Sequence, residues 1–231
     1  MEFADVVRRR RMVRRFEPDR PVPHGVLLRA LEHATRAPSA GFSQGWDFVV
    51  LTRPQQRQRF WQATTHPEQD QDAWLTGVSA APVVIVCCAD PQRYLDRYAE
   101  PDKGWVDRDP ARWPIPYWDV DTAMAALLIL LTAVDQGLGG LFFGVRADRH
   151  DATRAALGIP SDRRLVGVIA LGYPLPGPPR PSRRRGRRGL DEVVHWGRFG
   201  DSGPDQPDSV SEQGPASDPV RSASSGAELQ R

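Results

Sequence analysis

The sequence predicts a layered domain of the α/β or α+β class, helices packed on a sheet. Three observations carry this. Apolar, β-branched runs at 46–52, 81–89 and 163–174, with a glycine turn leading into another at 137–145, have the composition of strands. Helical patterns alternate with those runs. The stretch DVDTAMAALLILLTAVDQG is apolar around nearly its whole circumference, so it must be buried centrally or against another subunit. At 231 residues the chain has room for one sizeable core and a tail.

Taken in order, Asp5–Met12 is expected to be a short helix. PVPH opens a second helix, whose Val26, Leu27, Ala30, Leu31 and Ala34 share one face. APSAGFSQGW (37–46) is punctuated by proline, serine and glycine, which makes it a loop. WDFVVLT (46–52) follows as a strand, and 53–64 as a polar helix anchored by Phe60 and Trp61. APVVIVCCA (81–89) is the clearest buried strand. Its adjacent Cys87 and Cys88 should point to opposite faces, which disfavours a disulfide between them and suits buried thiols in a reducing compartment.

Residues 90–118 are dense in proline, aspartate and aromatics and are expected to be an irregular, functional or mobile loop. Asp119 or Asp121 can cap the apolar helix that follows, and Gly137 can stop it. At about 17 residues it is short for a membrane span. Residues 148–158 form a helix closed by Gly158, before the strand at 163–174. After Gly200 almost nothing is available to bury. The expectation is a domain over 1–200 and a disordered acidic tail over 201–231.

Charge narrows the function. The net charge is +2, but the tail's six acidic residues against two arginines leave residues 1–200 at +6. Twelve arginines sit in two runs, RRRRMVRRF (8–16) and RPSRRRGRR (180–188). Either the runs meet a polyanion, or they converge on one small anion. No recognition helix or interleaved stacking aromatics accompany them, which argues against nucleic acid. The N-terminus lacks the apolar stretch of a signal peptide, so a cytoplasmic protein with no membrane partner is expected. The five histidines are scattered, with no metal-ligand spacing and no triad context.

Five blocks in order, RRMVRRF, APSAGFSQGW, GLGGLFFGV, LGYP and RRGLDEVVHW, resemble the nitroreductase-like flavoproteins from about Val6 to Trp196. The resemblance implies an α+β, three-layer fold with a central mixed sheet, in an intertwined homodimer with FMN at the interface. It also implies ping-pong electron transfer from NAD(P)H to a small acceptor of the nitroaromatic, quinone or enone type.

By motif match, Arg10, Arg11 and Arg14, with Arg185 and Arg187, would hold the FMN phosphate. A dianion of that kind needs several fixed cations. Pro38, Ser39, Ala40, Phe42 and Gln44 would line the flavin and ribityl chain, and Gly139, Gly140 and Leu141 would approach the ring. Trp105, Trp113, Tyr117 and Trp118 would offer substrate contacts. No protein side chain is assigned as catalytic, since the flavin carries the chemistry. The chain departs from the family pattern at Met12 (serine in many relatives), Phe42 (asparagine) and Gly45 (proline). A flavin- or deazaflavin-binding protein without turnover, or a specialised enzyme of the same fold such as a dehalogenase or flavin-fragmenting enzyme, remains an alternative.

Overall fold

Four strands pair in the order β1 (Trp46–Leu51), β2 (Val83–Ala89), β4 (Arg164–Gly172), β3 (Gly139–Phe143), each ladder antiparallel. The parallel component of the expected mixed sheet is an isolated bridge between Met12 and Gly140. The computed structural model describes residues 1–65, 72–177, 186–201 and 203. Contacts divide the chain into two compact units, Met1–Gly177 and Pro178–Arg231. The sheet belongs to the first. In the second, the described residues include the short helix α8 (Leu190–Val193). Arg185, and the expected tail apart from 201 and 203, lie outside the described residues.

The uninterrupted apolar run of β2 is explained by burial of all seven residues. Strand alternation sends Val83, Ile85 and Cys87 to one face and Val84, Val86 and Cys88 to the other. The two cysteines therefore lie in different cores, as expected, and both are free thiols. Burial pushes both thiols up, Cys88 to about 12. On the first face lie α2 (His24–Ala34) and α6 (Tyr117–Asp135), and on the second α3 (Pro54–Thr64) and α7 (His150–Leu157), giving three layers. Phe60 anchors α3 as expected, and Gly158 closes α7 in the left-handed conformation.

The helix α6 corrects two expectations, its length and its cap. It runs 19 residues, long and apolar enough by length and composition to cross a membrane, although half of its most apolar stretch is buried within the chain. It begins earlier than expected, so neither aspartate caps it. Asp119 pairs with Arg164 at 2.7 Å, and Asp121 is buried inside the helix. Within this one chain its circumference is partly covered. Val120, Ala123 and Leu127 are exposed, beside half-buried Met124, Leu128 and Leu131.

The stretch 90–118 is more ordered than expected. It contains α5 (Pro91–Ala99) and a short 3-10 turn at Pro110–Arg112. Asp90 caps α5 by accepting the Gln92 N–H at 3.0 Å, and Pro91 occupies the first helical position, where its missing N–H costs nothing. Two further short helices complete the first unit: α1 (Phe3–Arg9), which ends sooner than expected, and α4 (Ala73–Ser79), an addition to the expected elements.

Candidate functional site

At one corner of the sheet, the segment after α1 lies along β3. Val13 donates its N–H to the Gly140 carbonyl at 2.9 Å, and the segment continues to a bridge between Phe16 and Pro174. Val13 and Phe16 point into the core, while Arg10 and Arg14 are half-buried and Arg11 is exposed. None of these three guanidinium groups has an ion pair or hydrogen-bond partner among the described residues. Half-burying a cation with no counter-ion is unfavourable, which marks the corner as a place for an external anion.

Gly139 and Gly140 are adjacent to the arginines, but their surfaces are already covered. A Cβ on Gly139 would come within 2.7 Å of Val13, and one on Gly140 within 2.6 Å of Leu130. Leu141 is buried as well. The missing side chains let the arginine segment lie close against β3. At Met12, where many relatives have serine, the thioether accepts the Phe142 N–H at 3.5 Å.

At the opposite corner the loop before β1 makes a tight coil. Gly41 adopts φ 61°, and the non-glycine residues Phe42 and Gln44 adopt φ 58° and 50°. Each left-handed non-glycine residue costs on the order of 1–3 kcal/mol, so the surroundings must enforce the shape. They do so through backbone groups. The Ala40 N–H donates to Asp121 Oδ2 at 2.9 Å, and Arg97 Nε donates to the Gly41 carbonyl at 2.9 Å. Within the loop, Gln44 N–H donates to Ser39 Oγ, and Ser43 Oγ donates to the Ala40 carbonyl. The Tyr98 ring would lie 2.7 Å from a Cβ on Gly41, and the Tyr94 ring 2.4 Å from one on Gly45. Gly45, where relatives have proline, is thus required by Tyr94. The Phe42 ring is 76% exposed, and the Gln44 side-chain amide has no partner among the described residues.

The two corners are far apart in one chain. Trp46 pairs with Ala89 and Ala89 with Arg164, whereas Gly140 pairs with Leu171. Seven residues of β4 therefore separate them, about 23 Å along the strands, with a further ~14 Å across three strand spacings. Among the described residues no hydrogen bond or ring contact joins residues 38–44 to 10–14 or 139–141. Motif order could not reveal this separation.

The aromatic segment gathers at the loop corner. Trp113 contacts Tyr94, Tyr98, Trp105, Tyr117 and Trp118 at ring-centroid distances of 4.6 to 5.9 Å. Trp118 is buried and Trp113 half-buried; the indole N–H of each is buried without a partner among the described residues. Packing uses these two rings, whereas Trp105 and Tyr117 keep accessible faces. Lys103 lies 5.4 Å over Tyr98, and Arg112 is neutralised by Asp107 at 2.7 Å. The residues at this corner whose ties to the loop the sequence did not reveal are Asp121, Tyr94 and Arg97. An aspartate inside an apolar helix was the available signal for the first.

In the second unit Arg187 is exposed, with no ion pair among the described residues, while Arg188 pairs with Glu192 at 3.3 Å. His195 stacks on Phe199 at 4.2 Å. A cleft of about 490 Å³ between α2 and β1, lined by residues including Leu28, Leu31, Trp46 and Phe48, contains none of the expected cofactor residues. Chemistry rather than concavity therefore locates the candidate site. Among the described residues no group of three or more His, Cys, Asp or Glu could hold a metal ion.

An α+β protein with an antiparallel sheet, an arginine cluster unpaired among the described residues and a strained loop is the class these features define. The sequence profile of the Nitroreductase family matches residues 7–173. An NADH dehydrogenase of Thermus thermophilus is 32% identical over 207 residues, covering 81% of this chain and 92% of that protein. A provisionally named NADH dehydrogenase/NAD(P)H nitroreductase of Archaeoglobus fulgidus is 32% identical over 175 residues, 75% of this chain and 86% of its own. A provisionally named nitroreductase from Exiguobacterium sibiricum, solved in complex with FMN, shares the fold with a TM-score of 0.67 at 18% identity, over 85% of this chain and 97% of that one. The chain belongs to the nitroreductase family and is an oxidoreductase.

Proposed function

We propose that this chain is an FMN-dependent oxidoreductase that passes electrons from NAD(P)H to a small organic acceptor of the nitroaromatic, quinone or enone type by a ping-pong mechanism. It would work in the cytoplasm as a homodimer, each site drawing on both chains. The observation that carries this reading is the separation of the expected cofactor residues into two corners. One chain holds them too far apart for a single FMN, whereas two chains packed against each other can bring the arginines of one to the loop of the other. The exposed apolar stripe of Val120, Ala123 and Leu127 on α6 supplies a surface for such packing. The names of the Thermus and Archaeoglobus relatives and the FMN complex of the Exiguobacterium structure support the cofactor and donor.

The residues present fit the group. Arg10 and Arg14, with Arg11 and the second run at Arg185 and Arg187, would hold the phosphate dianion by charge-assisted hydrogen bonds. Gly139, Gly140 and Leu141 would set the backbone on which the first cluster stands. Pro38, Ser39, Ala40, Phe42 and Gln44 would line the ring, Gln44 with its side-chain amide and Phe42 with its exposed face. Trp105 and Tyr117 would stack against an acceptor, with Trp113 and Trp118 supporting them. When bound, FMN supplies the hydride and electron-transfer chemistry, and the protein supplies position and electrostatics.

The test is an absorption spectrum of the purified protein with mass analysis of the released cofactor, followed by steady-state kinetics. Flavin bands, an FMN mass, and parallel double-reciprocal lines for NAD(P)H against a quinone or nitroaromatic are expected. A colourless protein that takes up no added FMN would sink the cofactor assignment. Bound FMN that no nicotinamide reduces would make the protein a flavin binder without turnover.

A further inference from the structure

We infer that Asp121, with Tyr94 and Arg97, is a positioning group that holds residues 39–44 in the shape they present to the cofactor; this rests on reading that loop as a flavin-contacting segment. Asp121 lies inside the most apolar helix of the chain and is 1% exposed. A buried carboxylate persists only where hydrogen bonds compensate its lost hydration. Here two donors converge on Oδ2: the Ala40 N–H at 2.9 Å and the Tyr94 hydroxyl at 2.8 Å. Asp121 touches no other part of the loop through a hydrogen bond, so it acts through Ala40 and not on the cofactor.

The remaining tie comes from α5. Tyr94 passes the Asp121 bond into that helix, and its ring fills the space beside Gly45. Three residues further on, Arg97 donates to the Gly41 carbonyl while Asp102 grips its guanidinium with two bonds, at 2.7 and 2.8 Å. One tie therefore precedes the left-handed residues Gly41 and Phe42, and the other falls among them. The start of the strained stretch is thus fixed to two regular helices, and both ties end on backbone atoms. This is how a loop of unfavourable dihedrals is made to have a single conformation before a ligand arrives.

The test uses the full-length protein, with FMN titration by flavin fluorescence, amide hydrogen exchange without FMN, and thermal melting. In Asp121→Asn and Tyr94→Phe, exchange at Ala40–Gln44 should rise while that of β2 stays slow, and the dissociation constant for FMN should increase about tenfold. A lower melting temperature with unchanged FMN affinity and unchanged loop exchange would make the network merely structural and overturn the inference. Should Asp121→Asn fail to fold, Tyr94→Phe and Arg97→Gln carry the same readouts. Loop variants Phe42→Ala and Gln44→Ala separate the two failures. If they weaken FMN binding and the Asp121 and Tyr94 variants do not, the positioning role alone is overturned. If they too leave FMN binding untouched, the reading of the loop falls.

Discussion

Where Met12 meets Gly140, three arginines without counter-ions among the described residues stand on an extended segment stitched to β3; where Ala40 meets Asp121, the polar backbone is tied down while non-glycine residues are forced left-handed. The first corner has relaxed geometry and unmet electrostatics. The second has met electrostatics and strained geometry. The contrast separates two tasks of a cofactor site, attracting a charged end and shaping the contact with a flat ring. It also predicts different responses to mutation.

The largest effect is expected at the arginine corner. Replacing Arg10 and Arg14 together by alanine removes two charge-assisted donors worth about 1.5–3 kcal/mol each, so FMN affinity should fall at least ~100-fold. Because neither side chain has an ion-pair partner among the described residues, the melting temperature of the apoprotein should hardly change. Fluorescence titration alongside thermal melting checks both. A collapse of stability with affinity intact would mean the arginines are structural.

The next test asks whether the corners of one chain serve the same cofactor. Arg14→Ala damages one corner. Gly41→Ala damages the other, since it puts a Cβ at φ 61° against the Tyr98 ring. Each variant alone should lose FMN. Co-expressed, they should recover about one quarter of the wild-type FMN per chain, since half the dimers are mixed and each mixed dimer has one intact composite site. Sites confined to one chain would recover none. FMN stoichiometry in the purified mixture decides.

Much of the fold was legible because its signals are local. The apolar run of β2, the alternation separating Cys87 from Cys88, and the glycine stop after α7 follow from neighbouring residues. The helix α5 was missed because Pro91 counts as a breaker in a composition scan, whereas after Asp90 it is a good first residue. The site was half legible. Motif order identified the arginines and the loop, but their placement at diagonal corners depends on strand order and register, which no single block encodes. Asp121 was visible only as a possible cap, because its true partners, Ala40 and Tyr94, are 81 and 27 residues away.

A smaller effect should appear within the loop corner. Phe42→Asn places a residue that tolerates the left-handed conformation where phenylalanine is strained, and loses little buried surface. A gain of about 1 kcal/mol is expected, raising the melting temperature by roughly 2–4 °C. Asparagine at Arg11 or Val13 should bring no such gain, since positions 10–14 have no positive φ.

The smallest effect is a difference in acid response. The Arg97 hydrogen bond holds the Asp102 carboxyl below its ordinary 3.8. A carboxyl depressed in the folded state contributes stability that is fully present above its unfolded value and lost as pH falls through the folded one. Between pH 7 and about 4.5 the tie from Arg97 to Gly41 should therefore be constant. Below that, protonation of Asp102 leaves the guanidinium only the Glu100 carboxylate, at 3.2 Å, to steady it, and amide exchange at Gly41 and Phe42, corrected for its intrinsic pH dependence, should rise. The exchange of Val13, whose N–H bonds the Gly140 carbonyl beside arginines that have no carboxylate partner among the described residues, should show no such rise over the same range. Equal loosening of both corners would mean that acid acts on the sheet as a whole, and that Asp102 does not steady the loop.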